Sequence, residues 1–441
     1  MITINRIYFD AQKELSFTSL GKIIRYFREN TLPLLEKYQG YYDGTGHEIM
    51  KRVPGDASRP NNKIVKNYCA SIVDNFQGYI TGIPITYSPK GEESIDDILS
   101  ILQSNDVVNE DSDFLLNALR DGVAYELCYV NEHNEKKFKS VDARQVIPVY
   151  ANDLDERLLY CIYFFPIVSW DDSDRQKYSV NVYTDKEILH YVANESFDKF
   201  TMSEEPEEHY FNQIPFVVFD LNKDNRPIFE RVLTLQDAYN TLLSDEVNDF
   251  EAFVDAYMVL KNVSATPEEL AQMKETRTIL IDGEDDVQYL TKNISDTQIE
   301  NMLSNLQSSI HTISNSPDFS SEEFNQGVSS GIALQFKLLG FNNVASNIEA
   351  RFQKALAKRI ELLNSILSLV DTQECEVEIT FTHNLPTNIA DIANTVNTLR
   401  GLVSDETLLA QIPFVADVDK EIERTSSRTE TYEFNTLALG D

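Results

Sequence analysis

The sequence predicts a multidomain α+β protein, and three changes in its hydrophobic pattern indicate this class. Apolar residues recur at helical spacing over residues 18–120, alternate with polar residues over 123–219, and return to helical spacing in long runs after residue 227. The chain has 441 residues, of which 42% are hydrophobic. This is enough apolar material for more than one domain.

The first block is predicted to be helical. Thr18 and Ser19 precede a helical run over 18–38 that Pro33 restarts, so a helical hairpin is expected there. Residues 41–62 are polar and contain glycine and proline, which predicts a loop. Further helices are expected from Lys63 to about Tyr79 and within 94–120, where Gly122 closes the run.

The second block predicts an antiparallel sheet packed on these helices. Short β-rich runs are separated by polar turn clusters. The expected strands are residues 125–130, 145–150, 158–165, 178–183, 188–193 and 215–220.

The third block contains helices too long for an ordinary globular core. From Ile228 to about Tyr257 no proline or glycine interrupts a helix that would be about 45 Å long. Short strands are expected at 258–262, 278–282 and 287–290, and a second helix at 295–313. A third helix over 331–370 has Gly340 as its expected kink. A strand at 375–382 and three short helices from residue 387 complete the chain.

Charge separates the function classes. Asp and Glu outnumber Lys and Arg by 72 to 38, which gives a net charge of −34 and argues against electrostatic wrapping of nucleic acid. The start of the chain lacks a secretory pattern and no apolar run is long enough to cross a bilayer, so a protein that stays inside the cell and binds no membrane is expected. The four cysteines have no metal-ligand spacing.

A possible catalytic motif lies at residues 327–331, which read Gly-Val-Ser-Ser-Gly and match the G-x-S-x-G pattern of serine hydrolases. A polar loop precedes it instead of a core strand, so a serine at a helix start is the preferred interpretation of Ser329. The acidic runs 204–208 and 284–286 lack the ligand alternation of an EF-hand and are interpreted as solvated loops. The sequence therefore predicts no catalytic residue, cofactor or metal site.

Several segments carry a resemblance to a known family. They are residues 61–67, 72–74 and 78–85, the helix start Ser-Ser-Gly-Ile-Ala-Leu at 329–334, and the strand, turn and helix series from 379 to 404. In this order and spacing they resemble the portal proteins of tailed bacteriophages, the head-to-tail connectors, of the type found in siphophages of Gram-positive hosts.

The resemblance implies a portal-like subunit with an α/β wing, a long helical stem, a small β-containing clip and a helical crown. Its parts would be the wing at 1–225, the stem helix at 226–257, the clip at 258–294, the second stem helix at 295–316, the tunnel loop at 317–330, the long kinked helix with the return strand of the wing at 331–384, and the crown at 385–441.

The resemblance also implies a ring, usually of twelve subunits, at one capsid vertex of the virion, assembled in the host cytoplasm. Double-stranded DNA would pass through it without sequence-specific binding during packaging and ejection. Expected partners are the terminase large subunit, the scaffold protein, the major capsid protein and a head-completion or adaptor protein.

Candidate site residues follow from this division. Acidic side chains of the stem would keep DNA from sticking in the channel, and the candidates are Glu230, Asp237, Asp245, Asp249 and Asp255. Tunnel-loop candidates are Phe319, Glu322, Glu323, Phe324 and Asn325, where an anchoring role for both phenylalanines is preferred over DNA contact. Clip docking candidates are Arg277, Glu284, Asp285 and Asp286.

Two other functions stay open at this point. One is an acidic cytoplasmic adaptor that binds a protein partner without forming a ring, and the other is a hydrolase that uses Ser329. Long helices around a small β insertion favour the ring, because a monomer would expose their apolar faces.

Overall fold

The computed structural model describes most of the chain. The described residues are 6–53, 60–91, 94–168, 177–253, 257–261, 286–290, 296–319, 331–367, 376–383 and 389–409, with the separate positions 266, 268, 321, 412, 415, 418, 420–422 and 424–425.

Helices dominate both ends of the chain. They are α1 (Phe17–Asn30), α2 (Leu32–Tyr42), α3 (Tyr68–Ile80), α4 (Asp96–Ser104), α5 (Val107–Asp121), α6 (Leu233–Phe253), α7 (Asp296–Ser314), α8 (Gly331–Leu367), α9 (Ile389–Leu399) and α10 (Asp405–Leu409). Short 3-10 turns lie at Glu48–Lys51, Ala143–Gln145 and Glu230–Val232.

Strands fill most of the middle of the chain. They are β1 (Ile7–Phe9), β2 (Thr86–Pro89), β3 (Val123–Val130), β4 (Lys136–Val141), β5 (Val146–Ala151), β6 (Leu158–Pro166), β7 (Lys177–Tyr183), β8 (Glu187–Asn194), β9 (Phe200–Met202), β10 (Glu207–Glu208), β11 (Phe216–Asp220), β12 (Tyr257–Lys261), β13 (Asp286–Leu290) and β14 (Val377–Thr380).

The sheets are mainly antiparallel, as the alternation predicts. The largest has the order β1-β5-β6-β7-β8-β10, with β9 also paired to β8, and only its β1–β5 pair is parallel. A second sheet, β11-β3-β4, shows that the predicted single sheet is divided in two. Strand β14 pairs with β2, so residues 377–380 lie against the first third of the chain.

The buried residues that the structure describes form two hydrophobic cores. One lies between α1, α2 and the large sheet, with Ile24, Phe27 and Val180 fully buried. The other joins α3, α4, α5, the small sheet and the inner face of α8. Phe352 of α8 stacks on Phe219 of β11 in this core at a centroid distance of 5.0 Å.

The long helices have different ends from those expected. The helix expected from Ile228 begins as an α-helix only at Leu233, because the Ile228 amide donates to the Leu119 carbonyl and residues 230–232 form a 3-10 turn. Helix α3 begins at Tyr68 and not at Lys63, because the amides before it bind side chains of α6. Tertiary contacts thus shorten two helices that local spacing predicts to be longer.

The β insertion lies between α6 and α7, as predicted. β12 follows α6, pairs antiparallel with β13, and β13 leads to α7, which packs along α6. The expected strand at 278–282 lies outside the described residues. No helix within the described residues is long and apolar enough to cross a membrane.

Candidate channel and docking surfaces

Glu230, the first of the acidic channel candidates, interacts with neighbouring side chains of the same chain. It lies in the 3-10 turn before α6, and its Oε1 accepts a hydrogen bond from Arg226 Nη1 at 2.9 Å. Burial and the nearby Glu230 carboxylate raise the pKa of Tyr38. Glu230 therefore belongs to the packing between α2 and the start of α6.

Asp237 is likewise joined to the N-terminal helices. The buried Tyr41 hydroxyl donates to its Oδ2 at 2.7 Å, and the Glu48 amide donates to its Oδ1 at 3.3 Å. Burial and this hydrogen bond raise the pKa of Tyr41, so the phenol stays protonated and donates. Asp237 thus fixes α6 against α2 and the 3-10 turn that follows it.

The acids nearer the end of α6 are more open. Asp245 forms an ion pair with Arg52, and its side chain is 56% exposed. Asp249 is half-buried, and Asp255 lies outside the described residues. The exposed stripe of the helix runs through Thr234, Ala238, Thr241 and Asp245, so the four candidates that the structure describes do not share one face.

Phe319, the first of the tunnel-loop candidates, lies shortly after the end of α7 at Ser314. Phe319 is 42% exposed and makes an edge-on contact with Phe341 of α8, with centroids 6.2 Å apart. This is a contact that an anchoring residue would make. Glu322, Glu323, Phe324 and Asn325 lie outside the described residues.

A polar cavity of about 890 Å³ lies between the end of α7, residues 315–321 and the first part of α8. On its α7 wall His311 Nδ1 lies 2.9 Å from the Ser316 carbonyl, and Gln307 donates to Asp318 at 2.7 Å. On its α8 wall is Gly340, where a Cβ would meet the Asn315 side-chain oxygen at 2.7 Å. The predicted kink glycine is therefore a point of close approach between α8 and the end of α7.

The clip docking candidates are described only in part. Asp286 opens β13 and pairs with Lys261 in the ribbon. Arg277, Glu284 and Asp285 lie outside the described residues. The pairing places Asp286 at the end of the ribbon that is farther from the helices α6 and α7.

Sequence reasoning missed a buried ion cluster centred on Arg359. Its guanidinium binds both oxygens of Glu126 at 2.7 and 2.6 Å and Asp111 at 2.5 Å, and all three side chains are buried. Burial raises the pKa of Glu126, and the positive charge of Arg359 acts in the opposite direction by lowering it. The sequence feature that could have indicated this cluster is a cationic residue, Arg359, on the apolar face of a long helix.

The residues suited to hydrolase chemistry do not form a described site. Ser329 lies outside the described residues, and His383 pairs with Glu349 at 2.6 Å and stacks on Tyr79. Among the residues that the structure describes, no cluster of His, Cys, Asp or Glu could hold a metal ion.

Comparison with known proteins identifies the family. The family model "Phage portal protein, SPP1 Gp6-like" matches residues 22–433. The portal protein of Bacillus phage SPP1 is 22% identical over 439 residues, covering 94% of this chain and 84% of the relative. The portal protein of Clostridium phage phiCD119 is 21% identical over 403 residues, covering 85% and 86%.

A solved structure with a similar chain is the neck of an empty GTA particle computed with C6 symmetry. It has 11% identity and a TM-score of 0.48, and the match covers 85% of this chain and 91% of that chain.

The resemblance found in the sequence is thus confirmed over most of the chain, and the adaptor and hydrolase alternatives are not favoured. Portal proteins form homo-oligomeric rings, are components of the virion and are in general not enzymes. The chain belongs to the phage portal protein family of the SPP1 Gp6-like type and has its role as portal and head-to-tail connector.

Proposed function

We propose that this chain forms a ring of twelve copies at one capsid vertex, through which the genome enters and leaves. The observation that supports the proposal is the family match over residues 22–433, which includes the helix–ribbon–helix unit of α6, β12, β13 and α7. The test is native mass spectrometry of the purified protein with negative-stain microscopy. A twelve-copy ring with a central hole is expected, and a compact dimer without higher species would contradict it.

In this proposal the wing comprises residues 1–225 and, from the far end of the chain, α8 and β14. The β14–β2 pairing and the shared core of α8 with α3 and α5 support the return of the chain to the wing. The stem comprises α6 and α7, the clip lies between them, and the crown follows at 385–441.

The channel is proposed to pass the exposed face of α6. Asp245, Asp249 and Asp255 are the test positions, because Asp245 is 56% exposed whereas Glu230 and Asp237 pack against the N-terminal helices. Asp245 also pairs with Arg52, and the asparagine control removes that ion pair as well. Replacing the three by lysine should slow DNA packaging, most strongly at low salt, because each cation near a phosphate adds salt-dependent affinity. The matched controls are the three asparagine variants, which remove the same local bonds without adding cations. Equal packaging by both sets would argue against a channel role.

The tunnel loop is proposed to be anchored at Phe319 and to carry Glu322, Glu323, Phe324 and Asn325 toward the channel. If Phe319 is an anchor, Phe319→Leu should leave packaging nearly intact while Phe319→Asp should impair it, because the aspartate cannot pack on Phe341. If Phe319 contacts DNA, both variants should alter packaging.

The clip is proposed to dock the terminase large subunit and, later, the head-completion or adaptor protein. Reversing Glu284, Asp285 and Asp286 to lysine should weaken binding of both partners in a pull-down with assembled rings, and Arg277→Glu should do the same. The matched control is reversal of Glu204 and Glu205, which are exposed acids of the wing. Equal binding by the clip variants and this control would contradict clip docking.

Contacts with the scaffold and major capsid protein are proposed for the wing, during assembly in the host cytoplasm. Co-expression of the three proteins tests this, since incorporation of one ring per capsid is expected. Esterase activity that Ser329→Ala abolishes would instead revive the hydrolase alternative.

A further inference from the structure

An extended segment before α3 lies along α6 and is bound by it in a regular way. The amides of Asn62, Ile64, Lys66 and Tyr68 donate to side chains of Asn248, Ser244, Asn240 and Gln236 at 2.7, 2.9, 3.0 and 2.9 Å. Every second amide of the segment thus meets every fourth side chain of the helix. We call residues 61–68 the strap and these four pairs its rungs.

The regularity follows from matched periods. Four residues of an α-helix rise about 6.0 Å, and two residues of an extended strand span about 6.6 Å. A stripe of polar side chains at i, i+4, i+8 and i+12 can therefore take the place of a neighbouring β-strand.

Breaking a single rung raises the free energy of the folded protein. Gln236, Asn240 and Ser244 are fully buried, and a buried polar group that loses its partner bears its full desolvation cost. Within the described residues the amides of Lys63, Val65 and Asn67 have no such partner, so the pattern alternates along the strap.

Both ends of the strap are fixed in register. Arg52 donates to the Asn61 side chain at 3.1 Å and to the Asn62 carbonyl at 2.7 Å, and it pairs with Asp245 of α6. At the other end the Asn67 side chain caps α3 by accepting from the Ala70 amide at 3.1 Å.

A buried histidine orients the Asn240 rung, one of the two central rungs. Asn240 Nδ2 lies 3.3 Å from His47 Nδ1, and burial lowers the pKa of His47, which keeps the ring neutral and able to accept. The amide oxygen of Asn240 is then directed to the Lys66 amide.

We propose that the strap is a lock that fixes the axial position of α6 against the N-terminal helices, and that it opens only as one unit. A shift of α6 along its axis misaligns all four rungs at the same time, since they share one spacing. Independent movement of α6 therefore requires the whole strap to open. The proposal rests on the folded chain and does not depend on the number of copies or on the docking partners.

Hydrogen–deuterium exchange resolved to single amides on the assembled protein tests the lock. In the native protein the amides of residues 62, 64, 66 and 68 should exchange slowly and share one protection factor, which is the ratio of the intrinsic to the observed exchange rate, while those of 63, 65 and 67 should show little protection. Uniform exchange over residues 62–68 would overturn the proposal.

The test variants are Ser244→Ala, which removes a central rung, and Asn248→Ala, which removes a terminal one. Each should raise exchange at the remaining rung amides together, by about fivefold for one lost hydrogen bond. Faster exchange at only the amide facing the altered residue would show independent rungs and overturn the proposal. The matched control is Thr241→Ala on the exposed face of α6, which should change none of these rates.

Discussion

Replacing Arg359 tests how α8 is held to α5 and to the β11-β3-β4 sheet. This helix residue is fully buried and makes a two-pronged contact with Glu126 of β3 and a third bond with Asp111 of α5. Tyr87 of β2 donates to Asp111 at 2.7 Å, so one cluster joins α8 and α5 to strands β3 and β2. Arg359 also lies over the Phe138 ring at 4.4 Å.

Arg359→Met keeps the helix propensity and most of the volume but leaves two carboxylates buried without a cation. Breaking a buried ion pair from one side costs about 3–5 kcal/mol, and the upper end is expected here because both acids lose their partner. A triple variant that combines Arg359→Met with Glu126→Gln and Asp111→Asn should regain most of the lost free energy of unfolding. It removes the two buried negative charges together with the positive one. Arg351→Met on the exposed face of α8 is the control and should stay within about 0.5 kcal/mol.

The stability lost in Arg359→Met should depend on pH. Burial already raises the pKa of Glu126, and losing the guanidinium raises it further. A carboxyl whose folded pKa lies above its unfolded value destabilises the fold as pH rises through the folded pKa, so the loss should be smaller at pH 5 than at pH 8. Urea unfolding followed by circular dichroism, at one subunit concentration, measures both effects. A loss below about 1 kcal/mol, or one independent of pH, would refute the reasoning.

Three further outcomes are expected from the same unfolding assay. Gly122→Ala should cost about 1–3 kcal/mol or more, because φ is +84° and a Cβ would lie 2.4 Å from the Asn225 carbonyl oxygen; wild-type stability would disprove the strain. His209 is buried with a lowered pKa and accepts from the Phe211 amide, so stability should fall as pH drops below about 6.5. His209→Gln should weaken this pH dependence of stability. An unchanged pH profile in the variant would show that His209 does not cause it. Phe352→Ala should cost about 3–5 kcal/mol as a cavity in the shared core, whereas a loss under 1 kcal/mol would place the residue outside it.

Local pattern was enough to predict the architecture in outline. The alternation over 123–219 predicted six strands that the structure contains. Burial alternates along most of β7, whereas β5 is buried at every residue and β3 at its first six, so the pattern identified the strands but not how many of their faces are covered. The helix–ribbon–helix order after residue 227 and the long helix from Gly331 were also predicted, since uninterrupted apolar spacing over so many residues has few other solutions. The sequence did not predict β1, β2, β4, β9 and β10. Four of them have only two to four residues and β4 is a lysine-rich edge strand, so they carry little alternation.

What the sequence alone determined is the α+β class, the order of the main helices and strands, and the family, because these depend on periodicity and on the succession of segments. Only the tertiary structure decided that Asp237 serves the fold through Tyr41, that Arg359 is buried among acids, and that residues 62–67 are extended along α6. The physical reason is the same in each case: the partner that sets the residue's state lies more than 150 positions away in the chain, and no local spacing encodes it.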